Sequence, residues 1–324
     1  MISGNNLKVQ FGPETTYGTT ATTTSQIKVA SEGFKYVAEK KNEGLLTGGK
    51  SAGKTFTMSR KVEGAISTVA EPQNVGLFLG QITGVEATPT LVVGSTAVYN
   101  HVFTSIGTDE DDYLPAVTAK VDRVANKYSY SGLTLDTLSF SASPADFLKL
   151  DLKWVGFEEK DGAILASLTP STMKSFRFAH GAVKLQGSTL ADVTSVKFDY
   201  NNKLESFQTL DTGYAFNRAK PGAREITSDL EVLYSGGSDT IYNTLFKTDD
   251  VVALELKFTS EEEIETGYFP SITITIPNMQ INECSSNISG AETVKQTMKL
   301  AAIEEGSDEL ITMTLRNMRA TKYI

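Results

Sequence analysis

Apolar and polar residues alternate with period two along most of the chain. Leu148, Leu150, Leu152 and Trp154 are separated by Lys149, Asp151 and Lys153, the pattern of a strand with one buried face. Tyr128, Tyr130, Leu133, Leu135, Leu138 and Phe140 mark a second sheet face. Its phase changes near Gly132, where a glycine permits a bulge. Strands are predicted at Gln26–Glu43, Phe56–Thr68, Val98–Thr104, Ala116–Val124, Lys127–Ala142 and Phe147–Phe157. They resume at Ser175–Leu185, Val193–Leu210, Glu225–Tyr234, Val251–Thr259, Ser271–Met279, Ile281–Ala302 and Glu309–Arg316.

Two short helices interrupt the strands. Pro72 suits a first helical turn, and Val75, Leu77, Phe78 and Leu79 give an apolar face ending near Gly80. Ser238 or Asp239 can cap a second helix carrying Ile241, Tyr242, Leu245 and Phe246.

This order of elements occurs twice, offset by roughly 155–168 residues. Gln26–Glu43 answers Val193–Leu210, and the glycine-containing loop Gly44–Thr55 answers Asp211–Arg224. HVFTS (His101–Ser105) answers LKFTS (Leu256–Ser260), and Tyr130–Ala142 answers Asn287–Ala302, with Gly132 opposite Gly290. The expected fold class is therefore mainly β: two tandem β-sandwich or open-barrel units, each with one short flanking α-helix. Residues 1–24, rich in Thr and Gly, read as an N-terminal arm. The first unit is expected over 25–160, a linker over 161–174 and the second unit over 175–324.

Gly48, Gly53, Lys54 and Thr55 fit the phosphate-loop pattern G-x-x-x-x-G-K-[ST]. Such a loop needs a helix to start at its Lys-Thr, so that the helix N-terminus faces the phosphates. Here Phe56, Met58 and Arg60 follow at period two, and Thr57, Ser59, Val62 and Gly64 are poor helix formers. A loop between two strands is the better reading.

The 324 residues are 40% hydrophobic and 21% charged, the balance of a folded globular chain. No apolar run approaches about 18 residues, so no helical membrane span is expected. The first residues lack the basic region and apolar core of a secretory signal, so synthesis in a cytoplasm is expected. A net charge of −9 argues against a protein that grips nucleic acid. His101, His180 and Cys284, the two histidines and one cysteine, supply no nucleophile–base pair and no thiolate metal site. No catalytic, cofactor-binding or metal residue is assigned, and no enzyme is expected. Asp109–Asp112 could fold around calcium but lacks the glycine and distal Glu of an EF-hand loop. Most aromatics fall inside strands. Tyr17, Tyr113, Tyr214 and Phe216 lie in loops or the arm and are candidate partner contacts.

Several segments together carry a resemblance. These are FGPETTYGTTA (Phe11–Ala21), GLLTG (Gly44–Gly48), VEGAISTVAEPQNVGLFLG (Val62–Gly80), ITITIPNMQIN (Ile272–Asn282) and ITMTLRNMRATKYI (Ile311–Ile324). In that order they resemble the major tail tube proteins of long-tailed bacteriophages, over nearly the whole chain. The resemblance implies a β-sandwich with a flanking helix, whose strands join neighbours into an inner barrel. It implies rings that stack into a hollow tail, an acidic lumen that holds the tape-measure protein and later passes DNA, and tail terminator and baseplate or tip partners. It implies location in the virion tail after synthesis in the host cytoplasm.

The family's long loop between its first two strands contacts the next ring. By position that role falls on Thr47, Gly48, Gly49, Lys50 and Lys54, and in the second unit on Tyr214, Phe216, Arg218 and Lys220. A two-copy chain allows a trimeric, pseudo-hexameric ring or a hexamer. The alternative reading from the residues is a β-sandwich binding module of a baseplate, decoration or adhesin type, which predicts an aromatic patch outside the strands.

Overall fold

The alternating runs become long strands. A computed structural model describes residues 6–44, 53–107, 113–163, 165–287, 293–306 and 309–324. The first half holds β1 (Lys8–Pro13), β2 (Ser25–Ile27), β3 (Ser31–Glu32), β4 (Lys35–Asn42) and β5 (Thr55–Val69). After these come α1 (Val75–Thr83), β6 (Gly84–Glu86), β7 (Thr90–Leu91) and β8 (Tyr99–Ser105). It ends with β9 (Val117–Asp122), β10 (Lys127–Ala142), β11 (Lys149–Gly156) and β12 (Glu158–Asp161). The second half holds β13 (Gly181–Leu185), β14 (Ser188–Thr189), β15 (Val193–Asn201), β16 (Glu225–Leu233) and α2 (Gly236–Ile241). It continues with β17 (Val251–Thr259), β18 (Ser271–Asn287), β19 (Lys295–Ala302) and β20 (Thr312–Asn317). The expectation of a mainly β protein with two short helices holds, and the stretch after Lys54 is strand.

The apolar faces of the long strands β5, β10, β11, β16, β17, β18 and β19 build most of the core. Trp154, on β11, stacks on Phe11 of β1 at 5.4 Å between ring centroids and meets Phe34 and Phe78 at 5.6 and 5.9 Å. Gly64 on β5 makes room for this cluster, since a Cβ there would lie 2.0 Å from the Phe34 ring. At Gly132 the β9–β10 register shifts as expected, and its φ of +66° is one that glycine adopts without strain. Helix α1 runs past Gly80 to Thr83. The Ile324 side chain packs on the bare Cα of Gly80, and Gly84, at φ +91°, terminates the helix with its N–H on the Gly80 carbonyl.

The two halves repeat one pairing scheme. The hairpin β1–β2 corresponds to β13–β14, and β1–β9 to β13–β17. The pairs β4–β5, β5–β11, β11–β10, β10–β9 and β10–β12 correspond to β15–β16, β16–β19, β19–β18, β18–β17 and β18–β20. A register shift between Leu135 and Thr137 on β10 has its counterpart between Ile281 and Glu283 on β18. In this frame Phe34 answers Phe198, Tyr36 answers Tyr200, and Leu138 answers Cys284.

Several sequence expectations are corrected. Within the expected arm, Lys8–Pro13 is strand: β1 is paired on both sides, with Val9 and Phe11 buried. Thr/Gly-rich composition concealed a short strand whose apolar content is only Val9 and Phe11. The matched pair HVFTS and LKFTS is not structurally equivalent, because β17 takes the place of β9 rather than of β8. Lys127–Ala142 answers Ser271–Asn287, not Asn287–Ala302; Gly290 lies outside the described residues. The segment β6–β8 has no second copy among the described residues. The expected Ile281–Ala302 strand is a hairpin, β18 and β19, and β18 continues the preceding strand through a bulge. The second helix starts at Gly236 and widens into a π-helical turn over Tyr242–Phe246.

The halves also share strands. β10 pairs through Thr137–Ala142 with β15, and β8 pairs with β20. One sheet therefore runs β4–β5–β11–β10–β15–β16–β19–β18 across both halves. Among the described residues, the outer edge of β4 and one side of Ile281–Asn287 have no strand partner, so this sheet is open at both ends.

Candidate assembly surface

Two kinds of surface stand out: the loop end of the molecule and the open sheet edges. Thr47, Gly48, Gly49 and Lys50 lie outside the described residues, as does Asp109–Asp112. Lys54 is exposed, with its ammonium 5.8 Å from the centre of the Phe56 ring.

The second loop folds back on the first half. The Arg60 N–H donates to the Tyr214 carbonyl at 2.8 Å, and Gln208 Nε2 donates to the Met58 carbonyl at 2.9 Å. Arg218 is half-buried between the rings of Tyr17 and Tyr113, at 5.1 and 4.8 Å, and donates to the Leu114 carbonyl at 2.5 Å. Desolvation holds its guanidinium below the ordinary arginine range. Burial likewise pushes the Tyr17 hydroxyl up to about 12. The Lys220 ammonium sits 5.1 Å from the Tyr113 ring, and its backbone pairs with Glu205. Arg218 and Lys220 thus join the second loop to the first half. Tyr214 keeps a large exposed face, and Phe216 is half-buried.

Sequence reasoning missed the residues beside them. Phe56, Met58, Phe207 and Leu210 are exposed apolar side chains on the outer half of β5 and on the segment that leads from β15 into the second loop, two stretches joined by the Gln208–Met58 and Arg60–Tyr214 hydrogen bonds. In sequence Phe56 and Met58 keep the parity of Val62, Gly64 and Ile66, but β5 carries an extra residue at Met58, where the β4–β5 register shifts, so the pattern that located the strand could not separate them from buried positions. Exposed apolar residues gathered in one place mark an interaction surface.

The remaining chemistry-bearing side chains serve the fold. His101 is fully buried, with Nδ1 2.8 Å from Glu86 Oε1 and Nε2 2.8 Å from the Arg319 carbonyl. His180 is exposed on a turn, and burial pushes the Cys284 thiol up. Among the described residues no three His, Cys, Asp or Glu side chains gather around a metal position. A cleft of about 430 Å³ between β13–β14 and α2 is lined by Leu185, Leu190, Val232, Ile241 and Leu245, and Asp192 is its one titratable group among the described residues.

Fold and surface together define a mainly β structural protein with two open strand edges and an apolar patch beside its loops. The model of the family described as phage tail tube protein matches residues 4–303. The chain belongs to that family, and membership implies a place in the virion tail and association into the tube. No curated protein matches the chain.

Proposed function

We propose that this protein self-assembles into stacked rings that form the hollow tail tube through which DNA passes. The observation that carries the reading is the sheet that spans both halves and is open at each end. A chain holding two like-paired units with two free edges is half-way to a closed wall. We favour a ring of three chains, pseudo-hexameric because each half supplies one sixth of it. Such a ring carries about 24 strands, four from each half, and at ~4.8 Å between strands the wall is roughly 40 Å across, before strand tilt widens it.

The exposed face of the running sheet becomes the lumen. It mixes lysines with carboxylates and pairs them across strands: Lys299 with Glu283 at 2.6 Å, Lys295 with Glu231 at 2.7 Å and Lys35 with Glu63 at 3.5 Å. This differs from the acidic lining that the resemblance implies. It still leaves these cations neutralised, so they offer little counterion release to passing phosphates. The tape-measure protein, tail terminator and baseplate or tip proteins are the expected partners.

Electron microscopy of the purified protein at high concentration tests the reading. Rings and tubes are expected; discrete monomers at every concentration would overturn it. The inter-ring role of the first loop has its own test. Deleting Thr47–Gly53 is expected to leave the far-ultraviolet circular dichroism spectrum intact while tubes no longer grow. Normal tubes from that deletion would remove the loop from the stacking contact.

A further inference from the structure

The chain contains, in its own middle, a worked example of how one unit joins the next. The second half of β10 takes β15 as a neighbour in a fixed register: Leu138 faces Tyr200, Ser139 faces Asp199, and Phe140 faces Phe198. β15 lies beyond β9 along the same side of β10. The matching place on β18, beyond β17, is empty among the described residues. The strand matching β15 is β4, whose outer edge is open. Tyr200 is completely buried at the internal junction, whereas its counterpart Tyr36 is 47% exposed. An exposed tyrosine on a free edge, whose repeat-mate is buried by strand addition, points to the same addition here.

The open edge of β4 carries a device that the internal junction lacks. Gly33 directs its N–H to β5, onto the Ala65 carbonyl at 2.9 Å, so Phe34 directs its N–H and C=O outward. Those outward groups are taken up by side chains. Glu32 Oε1 accepts the Phe34 N–H at 2.7 Å, and Arg123 Nη2 donates to the Phe34 carbonyl at 2.7 Å. Arg123 also forks onto Glu32, at 2.6 and 3.1 Å. At the internal junction the residue matching Glu32 is the apolar Val196, which faces Ala142 of β10. The charged pair therefore occupies the backbone groups that a docking strand would need.

We propose that the β4 edge of one copy adds to the second half of β18 of the next, in the register of the internal junction, and that the Glu32–Arg123 pair caps this edge until it does. Tyr36 then faces Cys284, Lys35 faces Ser285, and Phe34 faces Ser286 of the neighbouring copy. Lys35 lies diagonal to Glu283 on the exposed face, which adds an opposite-charge pair to the contact. The inference rests on the tube reading and supplies its lateral contact.

Cys284, the one cysteine, makes the register testable. Within one chain, β4 and the second half of β18 lie at opposite ends of the running sheet. A disulfide from a Tyr36→Cys side chain to Cys284 therefore joins two copies. Assembled Tyr36→Cys protein, oxidised with diamide, is expected to give disulfide-linked multimers on non-reducing gels, with the linked peptide found by mass spectrometry. A ladder that stops at three chains identifies the trimeric ring; one that runs to six identifies the hexamer. Lys35→Cys and Val37→Cys, one residue out of register and on the opposite face, are expected to stay unlinked. Rings of the Tyr36→Cys protein seen by microscopy, with no disulfide to Cys284 after oxidation, would overturn the junction and leave the tube reading standing. Absence of rings from the unmodified protein would overturn the tube reading itself, and the junction with it. For the cap, Glu32→Val is expected to assemble from a several-fold lower protein concentration, and Glu32→Gln from an intermediate one. Assembly of Glu32→Val at the unmodified concentration would remove the cap from the proposal.

Discussion

A Tyr36→Pro chain is expected to fold and to form no rings. The reason is the direction of one N–H. Gly33 bonds the Ala65 carbonyl of β5, and every second residue after it, Lys35 opposite Glu63 and Val37 opposite Lys61, turns its N–H and C=O the same way, so the Tyr36 backbone groups point outward. Proline at an outward position of an edge strand removes no bond from the existing sheet. It does remove the donor that a neighbouring strand would receive, and its ring obstructs close approach. Monomer stability is expected to change by no more than about 1 kcal/mol. Size-exclusion chromatography and microscopy are expected to show monomer throughout. Val37→Pro is the control, because that N–H belongs to the β4–β5 ladder. It is expected to destabilise the monomer itself, measured by thermal melting. A Tyr36→Pro chain that built normal rings would mean that β4 adds no strand.

The second large effect concerns stability. His101→Ala is expected to cost about 3–5 kcal/mol, the range for breaking a buried ionic or charge-assisted pair on one side. Glu86 and His101 are both fully buried, and the carboxylate organises the end of the chain. Its Oε2 accepts the backbone N–H of Tyr323 at 2.7 Å and of Ile324 at 3.2 Å. The Tyr323 hydroxyl in turn donates to the Gln73 carbonyl at 2.9 Å and accepts from Asn317 Nδ2 at 2.6 Å. Alanine at position 101 leaves Glu86 Oε1 and the Arg319 carbonyl without the ring. In a protein of this size the loss is expected to lower the melting temperature by roughly 10 °C. A double variant, Glu86→Leu with His101→Leu, is expected to recover part of the loss, since replacing both members removes the unpaired charge. Equal melting of His101→Ala and the unmodified protein would show that the tail is held by its other contacts alone.

Much of the fold was legible because half-buried antiparallel strands write their burial into the sequence. Lys127–Ala142 and Val251–Thr259 match the observed strands end to end, and Gly132 sits at the bulge its position announced. The failures share a cause. β1 contributes too few apolar side chains to show a period, so Lys8–Pro13 read as part of an arm. The repeat was visible as an order of elements, but its register was set by pairing partners. HVFTS and LKFTS are alike in composition and sit in strands with different neighbours. Of the candidate contact residues, Arg218 and Lys220 were placed by position alone in a loop facing the next ring. The structure folds them onto Tyr17 and Tyr113, contacts between distant parts of the chain that no local pattern encodes. The open edges were invisible for the complementary reason: an edge strand and a central strand alternate alike until the neighbours are counted.

The segment from β6 to β8, present in the first half and without a counterpart among the described residues of the second, lies off the running sheet, so in the proposed three-chain ring the layer outside the wall would obey a different symmetry from the bore. Around a three-chain ring every wall position would carry the same four-strand module, whereas the outer layer would recur only at alternate positions. Averaging images with sixfold symmetry would then sharpen the inner wall and smear the outside. Threefold averaging would resolve the outer layer as three ridges separated by three furrows, and any protein that binds the outside of such a tube would meet three equivalent sites per ring instead of six.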